Sequence, residues 1–556
     1  MSDSYDFSQL YHASLVAYSP GTTFLATVFQ NRIIIRSTST LQIVRTWSCS
    51  HTASTSIASS SKASEGHVKI DSVEWSEDGL YILAFSASAK TAWVFGLASE
   101  GDGQSGEMAK IGGEGIEGMI KVEWGRSGKM ILAWADHGLK LSIFDLSTGI
   151  TRVIQNPKSH HQCHTYSPDN RYMAIVEKHL GKEYIGIYDV LDNYHLARHF
   201  QLSTTDVQGI SWSPDGKYLA AWDSAVSYSV YVHSPIGPLL SHFSHSSPTF
   251  SPTLTTEDPG LGIRTVTWSP GGRWLAMGGW DGKVRILESE GWRCIAVVSC
   301  ASKITDKDVT VWKEPQDWVK DTRGHGIIQF DRVSIPTAIP TLRPDMSKPN
   351  PSVGISEISF DKDGALFVVR SESSPNALYI YSFLKTPTSE APSISLLATL
   401  VLSYPVKDIM WCPGKTGRKL AVTAKSGAIY LWNEEGVWEE EDISNGGNQN
   451  QHQSQGAESR GGMMEGVGIP SRSDFVAADL CWAPDGTSLV MQDRSQFCIM
   501  YDNESENGNA TTDKSEIWGG VIEEGLSHVM EEEEYEDGWS GYGLELRDGL
   551  RGGILA

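Results

Sequence analysis

The sequence has few cysteines, a deficit of basic residues and no long apolar run, and each shortage excludes a class of protein. The seven cysteines are scattered, odd in number and without a CxxC pair, which excludes a disulfide framework and favours buried thiols in a reducing compartment. No run approaches the ~18 apolar residues of a membrane span. The N-terminus lacks the basic and apolar regions of a signal peptide. We therefore expect no membrane partner and a cytoplasmic location.

Positive charge is also scarce, with 45 Lys and Arg against 68 Asp and Glu and a net charge of −23. This balance disfavours a nucleic-acid partner, because such proteins present a positive face to the phosphates. Residues 503–556 contain fourteen acidic and three basic residues, a net of −11, so the remainder carries −12. A like-charged block usually stays solvated. We predict an acidic disordered tail over 503–556, either solubilising or docking a basic partner.

One short segment recurs along the chain and predicts the fold. In Trp212–Ala220 (WSPDGKYLA) an aromatic residue ends a strand, Pro and Asp-Gly supply a turn, and an apolar strand follows. Related segments begin at nine aromatic residues: Tyr18, Trp75, Trp124, Tyr166, Trp212, Trp268, Phe360, Trp411 and Trp482.

Each copy is followed by a further β-rich run and often by a fourth, which together indicate a repeating unit of short antiparallel strands. Four such strands per ~40–50 residues are typical of a β-propeller blade. We therefore predict an all-β fold over residues 7–502, a WD-repeat β-propeller of about nine four-stranded blades. One large ring and two packed lobes both remain open, because spacing alone does not count the blades in a ring.

Departures from the regular spacing predict insertions. Three polar segments rich in Gly and Ser, at 51–66, 99–118 and 439–472, bury too little apolar area to fold and are predicted to be disordered. A longer insertion at 301–351 ends in a Pro-rich stretch that predicts an extended strap over the surface.

Motifs for catalysis or metal binding are weak. The glycine patterns within 99–118 lie in an acidic loop without the strand and helix that a dinucleotide site needs. The run His160–His164 (HHQCH) is dense in potential metal ligands, but in a strand its His and Cys side chains alternate between two faces. We predict no cofactor, no metal site and no catalytic residue, although a propeller fold alone does not exclude an enzyme.

Trp-Asp pairs follow the second strand of several blades, on the link that WD-type propellers commonly present to partners. Aromatic residues on such a rim bury much area at low entropic cost and are good anchors. Two interpretations remain open, partner binding or turn closure with packing between blades. The candidate partner-binding residues are Trp134, Asp136, Trp222, Asp223, Trp280, Asp281 and Lys283.

The segments Gln30–Cys49, Tyr218–Ser224 and Gly278–Leu287 make residues 7–502 resemble the WD-repeat proteins of centrosomes and spindle pole bodies, the family named after WD-repeat protein eight. The stretch Ile339–Tyr381, with TLRP, NPSVGIS and SPNALYIY, is the most specific part of the resemblance.

The resemblance implies a non-catalytic scaffold at the microtubule-organising centre. Its implied partner is a coiled-coil microtubule minus-end anchoring protein, with γ-tubulin complex components or a minus-end kinesin as further partners. Its implied role is to anchor microtubule minus ends and support spindle assembly. Two other classes compete with this expectation. One is an RNA- or ribosome-associated translation factor of the propeller type, and the other is a propeller enzyme with a cluster of His or acidic residues in its central channel.

Overall fold

The computed structural model describes residues 5–50, 68–98, 106–112, 118–126, 129–158, 161–247, 250, 260–318, 326–345, 347, 353–384, 393–414, 418–435, 461–470 and 475–502. Residues up to Asp502 form one compact unit, to which the following account refers. The secondary-structure elements that lie entirely within the described ranges are β-strands and one 3-10 turn at Asp136–Gly138. No helix in these ranges has the length and apolar character of a membrane span.

Two short strands, β1 (Tyr5–Phe7) and β2 (Tyr11–His12), come first and join the last blade. Five four-stranded blades follow in chain order. They are blade 1 (β3 Leu15–Tyr18, β4 Phe24–Phe29, β5 Arg32–Ser37, β6 Ile43–Ser48), blade 2 (β7 Ser72–Trp75, β8 Tyr81–Ser86, β9 Thr91–Gly96, β10 Glu107–Gly112), blade 3 (β11 Met119–Trp124, β12 Met130–Ala135, β13 Lys140–Asp145, β14 Thr151–Gln155), blade 4 (β15 His164–Tyr166, β16 Tyr172–His179, β17 Lys182–Asp189, β18 His195–Gln201) and blade 5 (β19 Gly209–Trp212, β20 Leu219–Trp222, β21 Ser229–His233, β22 Leu239–Ser244).

Four more blades and an insert complete the described strands. They are blade 6 (β23 Ile263–Trp268, β24 Trp274–Gly279, β25 Lys283–Glu288, β26 Cys294–Ser299), the insert (β27 Lys303–Ile304, β28 Thr310–Lys313, β29 Ile327–Gln329, β30 Asp331–Arg332, β31 Thr337–Ala338), blade 7 (β32 Ile355–Phe360, β33 Leu366–Ser371, β34 Ala377–Leu384, β35 Ser393–Val401), blade 8 (β36 Val406–Trp411, β37 Lys419–Ala424, β38 Ala428–Asn433, β39 Met463–Gly468) and blade 9 (β40 Asp479–Trp482, β41 Ser488–Gln492, β42 Gln496–Asp502).

The repeated turn segment forms the link between the first and second strands, as predicted. In blade 5 the Ser213 hydroxyl accepts the backbone N–H of Tyr218 at 2.9 Å and donates to Asp215 at 2.6 Å. Gly216 adopts a φ of 76°, a conformation that a side chain would strain. The turn therefore satisfies the first donor of the second strand with a side chain of the motif itself.

The aromatic residue of the motif also explains how the blades hold together. Each of the nine aromatic residues ends the first strand of its blade. Five of the tryptophans donate their indole N–H to a carbonyl on the first strand of the preceding blade: Trp75 to Ala17, Trp124 to Glu74, Trp268 to Ser211, Trp411 to Ser359 and Trp482 to Met410. These bonds link neighbouring blades at the inner edge of the propeller.

The blades form one cycle, which decides between the two predicted arrangements. Nine hydrophobic clusters in the described residues each join two consecutive blades. The ninth packs Phe497 and Ile499 of blade 9 against Tyr18 and Leu25 of blade 1. The outer position of blade 9 is filled by β1, whose Asp6 pairs with Tyr501. A nine-bladed WD-repeat propeller is therefore closed by its own N-terminal strand, and the two-lobe alternative is wrong.

Two of the segments predicted to be disordered contain blade strands, so that prediction is wrong there. Glu107–Gly112 is the fourth strand of blade 2, and Met463–Gly468 is the fourth strand of blade 8. An outer strand needs few buried side chains, and here Ile111, Met464 and Val467 suffice. Segments 51–66 and 503–556 lie outside the described residues. All seven cysteines are free thiols, four of them buried and three half-buried.

The insert adds strands to two blades. Strand β28 pairs in parallel with β35 and extends blade 7, while β29 pairs with β39 and extends blade 8. The insert side chain Trp312 is buried and donates to the Gly461 carbonyl at 3.2 Å. The insert thereby covers backbone edges that would otherwise face solvent. The strap prediction concerns the Pro-rich end alone, where Thr337–Ala338 pairs with β27 and residues 340–345 are exposed and form no strand.

Candidate partner-binding site

Trp134 and Trp222 lie at the ends of second strands, and Asp136, Asp223 and Trp280 lie on the links that follow. These links between the second and third strands share one face of the propeller with the links between successive blades. We call this the turn face. In blade 5 the carboxylate of Asp223 accepts the backbone N–H groups of Thr205 at 3.0 Å and Asp206 at 2.9 Å, both in the link from blade 4. In the link into blade 6 the Gly262 N–H donates to the Ala225 carbonyl at 2.7 Å. The turn face is thus organised by contacts between adjoining links.

Trp134 and Trp222 are core residues, so their prediction as rim anchors is wrong. Trp134 is 2% exposed and donates its indole N–H to Glu123 at 2.7 Å. Trp222 is 3% exposed and lies against Gly209 on the paired strand. The packing interpretation is the correct one, because a buried indole has no surface to offer a partner.

Asp223 is buried as well, and its role is to fix the link between blades 4 and 5. Besides the two link N–H groups, it accepts the Thr205 hydroxyl at 2.9 Å and the Ser224 N–H at 2.8 Å. A buried carboxylate with these donors is fully engaged within the chain. Its prediction as a partner contact is therefore also wrong.

The packing of Trp222 is tested by Gly209→Ala. A Cβ at this position would collide with the Trp222 ring, so we expect the substitution to lower the free energy of unfolding by about 1–3 kcal/mol. Gly271→Ala is the matched control, because a Cβ at residue 271 meets nothing within 4 Å. Denaturant unfolding of the full chain measures both. Equal stability of the two variants would mean that Trp222 moves freely, as an accessible anchor would.

The remaining candidates reach the surface to different degrees. Asp136 is exposed, and Trp280, Asp281 and Lys283 are half-buried. Asp281 also has an internal role, since its carboxylate lies 2.9 Å from the guanidinium of buried Arg285. Partner binding by Asp136, Trp280, Asp281 and Lys283 stays a prediction.

Around Trp280 the structure adds residues that the sequence did not suggest. The Arg264 guanidinium lies 4.8 Å from the centre of the Trp280 ring. It also contacts Glu372 at 3.1 Å and donates to the Val353 carbonyl. Glu372 begins the link between the second and third strands of blade 7. These contacts join the turn faces of blades 6 and 7. Arg264, Val353 and Glu372 lie far apart in the sequence, so no local motif predicts that they meet.

The insert and blade 7 form a cleft of about 410 Å³. We call it the insert cleft. It is lined by Lys313, Glu314, Pro315, Gln316, Asp317, Trp318, Pro340, Asn376, Val401, Leu402, Ser403 and Tyr404.

The walls of the insert cleft are held together by hydrogen bonds. Asn376 donates its amide to the carbonyls of Leu402 and Ser403 at 3.3 and 3.0 Å. The insert is attached by the Leu342 N–H, which donates to the Ser373 carbonyl at 2.8 Å. At the mouth Tyr404 is 48% exposed. The cleft therefore has hydrogen-bonded walls and an accessible aromatic ring, a residue type that is enriched among the anchors of protein interfaces.

The first strands of several blades carry carboxylates, which are relevant to the translation-factor and enzyme alternatives. Burial raises the pKa of Glu74, Glu357 and Asp408. Burial would also raise the pKa of Glu123, but His164 and Lys121 hold it at about 2.

A cluster of a histidine and a carboxylate does exist on the first strands of blades 3 and 4, but it is tied into the fold. Glu123 contacts Lys121 at 2.6 Å and His164 at 3.3 Å, in addition to Trp134. The neighbouring Cys163 packs between blades 4 and 5, whereas His164 lies against Trp134 at 4.9 Å. Cys163 and His164 thus lie on opposite sides of the blade, as predicted. His160 is outside the described residues.

Comparison with known proteins gives one family match and two curated relatives. The model of the "WD domain, G-beta repeat" family matches residues 250–287. The WD repeat-containing protein WRAP73 of Mus musculus is 28% identical over 513 residues, covering 89% of this chain and 96% of that protein. An uncharacterized WD repeat-containing protein of Schizosaccharomyces pombe is 22% identical over 328 residues, 56% of this chain and 62% of that protein.

Solved structures of propellers are also similar. The C-terminal WD40 domain of Sif2 matches 75% of this chain and 95% of its own, with a TM-score of 0.42 and 13% identity. Hsv2 of Kluyveromyces lactis matches 70% of this chain and 99% of its own, with a TM-score of 0.36 and 10% identity.

Proposed function

We propose that this chain, whose WD40 repeats fold into a nine-bladed β-propeller, is a non-catalytic scaffold of the microtubule-organising centre that binds a coiled-coil microtubule-anchoring protein. Its proposed location is the cytoplasmic spindle pole body or centrosome. There it helps to anchor microtubule minus ends and assemble the spindle, near γ-tubulin complex components or a minus-end kinesin.

The observation that carries the proposal is where the most family-like stretch lies. Ile339–Tyr381 is the part of the sequence that most specifically resembles the spindle-pole family. In the structure this stretch attaches the insert through Leu342 and supplies Pro340 and Asn376 to the insert cleft. The residues that separate this chain from a generic WD repeat therefore build an accessible surface.

The shape and chemistry of the insert cleft suit a peptide segment that inserts one or two side chains. Pro340 and Tyr404 supply apolar surface at the rim, while Lys313 supplies charge. An amphipathic helix of a coiled-coil protein binds in this way, with apolar anchors in a groove and polar groups around it. We include in the proposed contact surface Trp280, on the link after β24, together with Arg264 of β23, which lies over its ring.

The translation-factor alternative is not favoured. The inner strands carry Glu74, Glu123, Glu357 and Asp408, and Glu123 is ionised at neutral pH because its pKa is about 2. Residues 1–502 carry a net charge of −12, whereas binding of an RNA backbone requires a positive surface.

The proposed scaffold needs no catalytic group, and this is consistent with the chemistry of its titratable clusters. The Glu123 carboxylate is engaged by Trp134, His164 and Lys121, which all belong to the same chain. WD-repeat propellers commonly act by presenting loops on a rigid frame.

The proposed function is tested by locating the tagged full-length protein in dividing cells and identifying what co-purifies with it at low salt. We expect enrichment at the spindle poles and a coiled-coil protein in the purified complex. Diffuse localisation together with co-sedimentation on ribosomes would overturn the proposal and support the translation-factor alternative.

The contact surface is tested by Tyr404→Ala and Trp280→Ala. Both rings are partly exposed, and aromatic hot spots lose about 2 kcal/mol or more of binding energy on truncation, so we expect each variant to weaken partner capture at least about tenfold. Leu80→Ala is the control, because Leu80 is 48% exposed on the link between the first and second strands of blade 2, away from the turn face. Wild-type capture by both site variants would place the partner elsewhere on the propeller.

A further inference from the structure

Blade 4 brings two histidines and a glutamate together on one face of its sheet. Glu177 and His179 are two residues apart on β16, so their side chains project to the same side. His199 on β18 pairs with Gly186 on the intervening strand, and Glu177 pairs with Tyr184. The three side chains therefore come from β16 and β18 and meet across β17, the strand between them.

Gly186 is what allows the cluster to form across β17. Glu177 and His199 are on strands that are not neighbours, so a side chain between them would block contact. A Cβ at residue 186 would collide with the Glu177 carboxylate and the Tyr188 ring. The missing side chain leaves space through which Glu177 reaches the outer strand.

The distances within the cluster match those between the ligands of a metal ion. Oε2 of Glu177 lies 2.9 Å from Nε2 of His179 and 3.3 Å from Nε2 of His199. One potential ligand atom from each residue lies within 4.8 Å of the other two. In a tetrahedral zinc site, bonds of about 2.0–2.1 Å place neighbouring ligand atoms about 3.3 Å apart.

Surrounding groups fix the orientation of all three side chains. The Tyr188 hydroxyl donates to Oε1 of Glu177, which leaves Oε2 directed toward the histidines. Tyr184 stacks on His199 with ring centres 4.9 Å apart and meets His179 edge-on at 5.7 Å. Such outer contacts orient the ligands of protein metal sites.

We propose that Glu177, His179 and His199 bind a zinc-class divalent metal ion, with water completing the coordination. Two imidazoles and one carboxylate form a ligand set that zinc adopts in proteins, and they disfavour Mg²⁺ or Ca²⁺, which take oxygen ligands. The carboxylate is buried, at 4% exposure, while both histidines reach the surface. The metal therefore has a path from solvent, and it fastens the outer strand β18 to β16.

The same three groups can also form a hydrogen-bonded His–Glu–His cluster without metal, and the experiment must separate the two. The full-length protein is stripped with a chelator, dialysed and titrated with ZnCl₂ by calorimetry, with MgCl₂ in parallel. We expect stoichiometric Zn²⁺ binding and no Mg²⁺ binding. Co²⁺ in place of Zn²⁺ should give visible absorption bands typical of a four- or five-coordinate site.

Four variants make the assignment specific, each confirmed as folded by circular dichroism. His179→Ala combined with His199→Ala should abolish Zn²⁺ binding, and Glu177→Gln should weaken it strongly. Tyr188→Phe keeps the ligands but removes the orienting hydrogen bond, so the affinity should fall about 10-fold or more. His242→Ala is the control, since His242 stacks on Tyr231 in blade 5 much as His199 stacks on Tyr184. Absent Zn²⁺ binding, or wild-type binding by the double variant, would overturn the proposal.

Discussion

Alanine in place of Glu314 is expected to lower the free energy of unfolding by about 3 kcal/mol, because it leaves buried donors without an acceptor. Glu314 belongs to the insert and is 4% exposed. Its carboxylate accepts the Trp318 indole N–H at 2.8 Å, the Tyr430 hydroxyl at 2.8 Å and the Ser403 N–H at 2.6 Å. One side chain thus joins the insert to blade 8 and to the link that follows blade 7.

The three donors differ in how well they can replace the Glu314 carboxylate, and this sets the size of the stability loss. Tyr430 has a second partner, Ser426 at 2.9 Å, to which its hydroxyl can turn. The indole N–H of Trp318 is buried and has a fixed direction, so loss of the Glu314 acceptor costs about 1–3 kcal/mol there, whereas Ser403 is exposed and its N–H can bond water. Burial and the adjacent Glu314 raise the pKa of Tyr430, so this hydroxyl remains a donor at neutral pH.

Denaturant unfolding and partner capture should be measured together for Glu314→Ala. Because Glu314 lines the insert cleft, its loss should loosen the cleft and weaken capture as well as stability. Glu314→Gln keeps one oxygen acceptor and should fall between the wild type and Glu314→Ala. Glu77→Ala on the exposed turn of blade 2 should leave both measurements unchanged. A loss below about 0.5 kcal/mol, the range of ordinary surface substitutions, would show that the network contributes little.

Much of the propeller was predictable because its repeat is local. Pro, Asp and Gly act within a single turn, and the Ser hydroxyl caps the strand five residues later, as for Ser213 and Tyr218. The nine aromatic residues mark the nine first strands for the same reason. The repeat does not predict how the ring closes, because closure pairs β1 with β42, two strands that are separated by almost 500 residues and are not marked by the repeat.

Outer strands were harder to predict than inner ones. Glu107–Gly112 and Met463–Gly468 are rich in polar residues or glycine, yet each completes a blade. A fourth strand is specified chiefly by the free backbone edge beside it, so its own composition is weakly constrained. The same holds for the insert, where β28 pairs in parallel with a strand that follows it by almost a hundred residues.

The candidate site was only partly predictable, because the same residue types serve packing and recognition. Trp134 lies within the second strand of blade 3 and is buried, whereas Trp280 lies just after the second strand of blade 6 and is half-buried. The exact end of each strand decides the difference, and the Trp-Asp pattern does not specify it. The Glu177 cluster likewise depends on the space above Gly186, which no spacing of ligand residues reveals.

Removal of residues 1–12 is expected to have the largest effect on stability, because it takes away the outer strand of blade 9 and with it the segment that ties the last blade to the first. These residues supply β1 and β2. The Ser8 N–H donates to the Ile499 carbonyl on the last strand at 2.9 Å, and the Ile499 N–H donates to the Ser8 hydroxyl at 2.9 Å. Phe7 and Leu10 pack on the cluster between blades 8 and 9, and Tyr11 stacks on Phe497 at 5.5 Å. Together these contacts should contribute about 5 kcal/mol, from apolar burial and hydrogen bonds.

Loss of this strand should also change the association state, which distinguishes an exposed strand edge from the loss of a few contacts. The truncated chain exposes the edge of β42, an unpaired strand that can pair with another chain. We expect concentration-dependent self-association by light scattering and a lower thermal midpoint. A synthetic peptide of residues 1–12 should restore both by refilling the edge, whereas a scrambled peptide should not. A monomeric truncated protein with the wild-type midpoint would show that the nine blades close without their N-terminal strand.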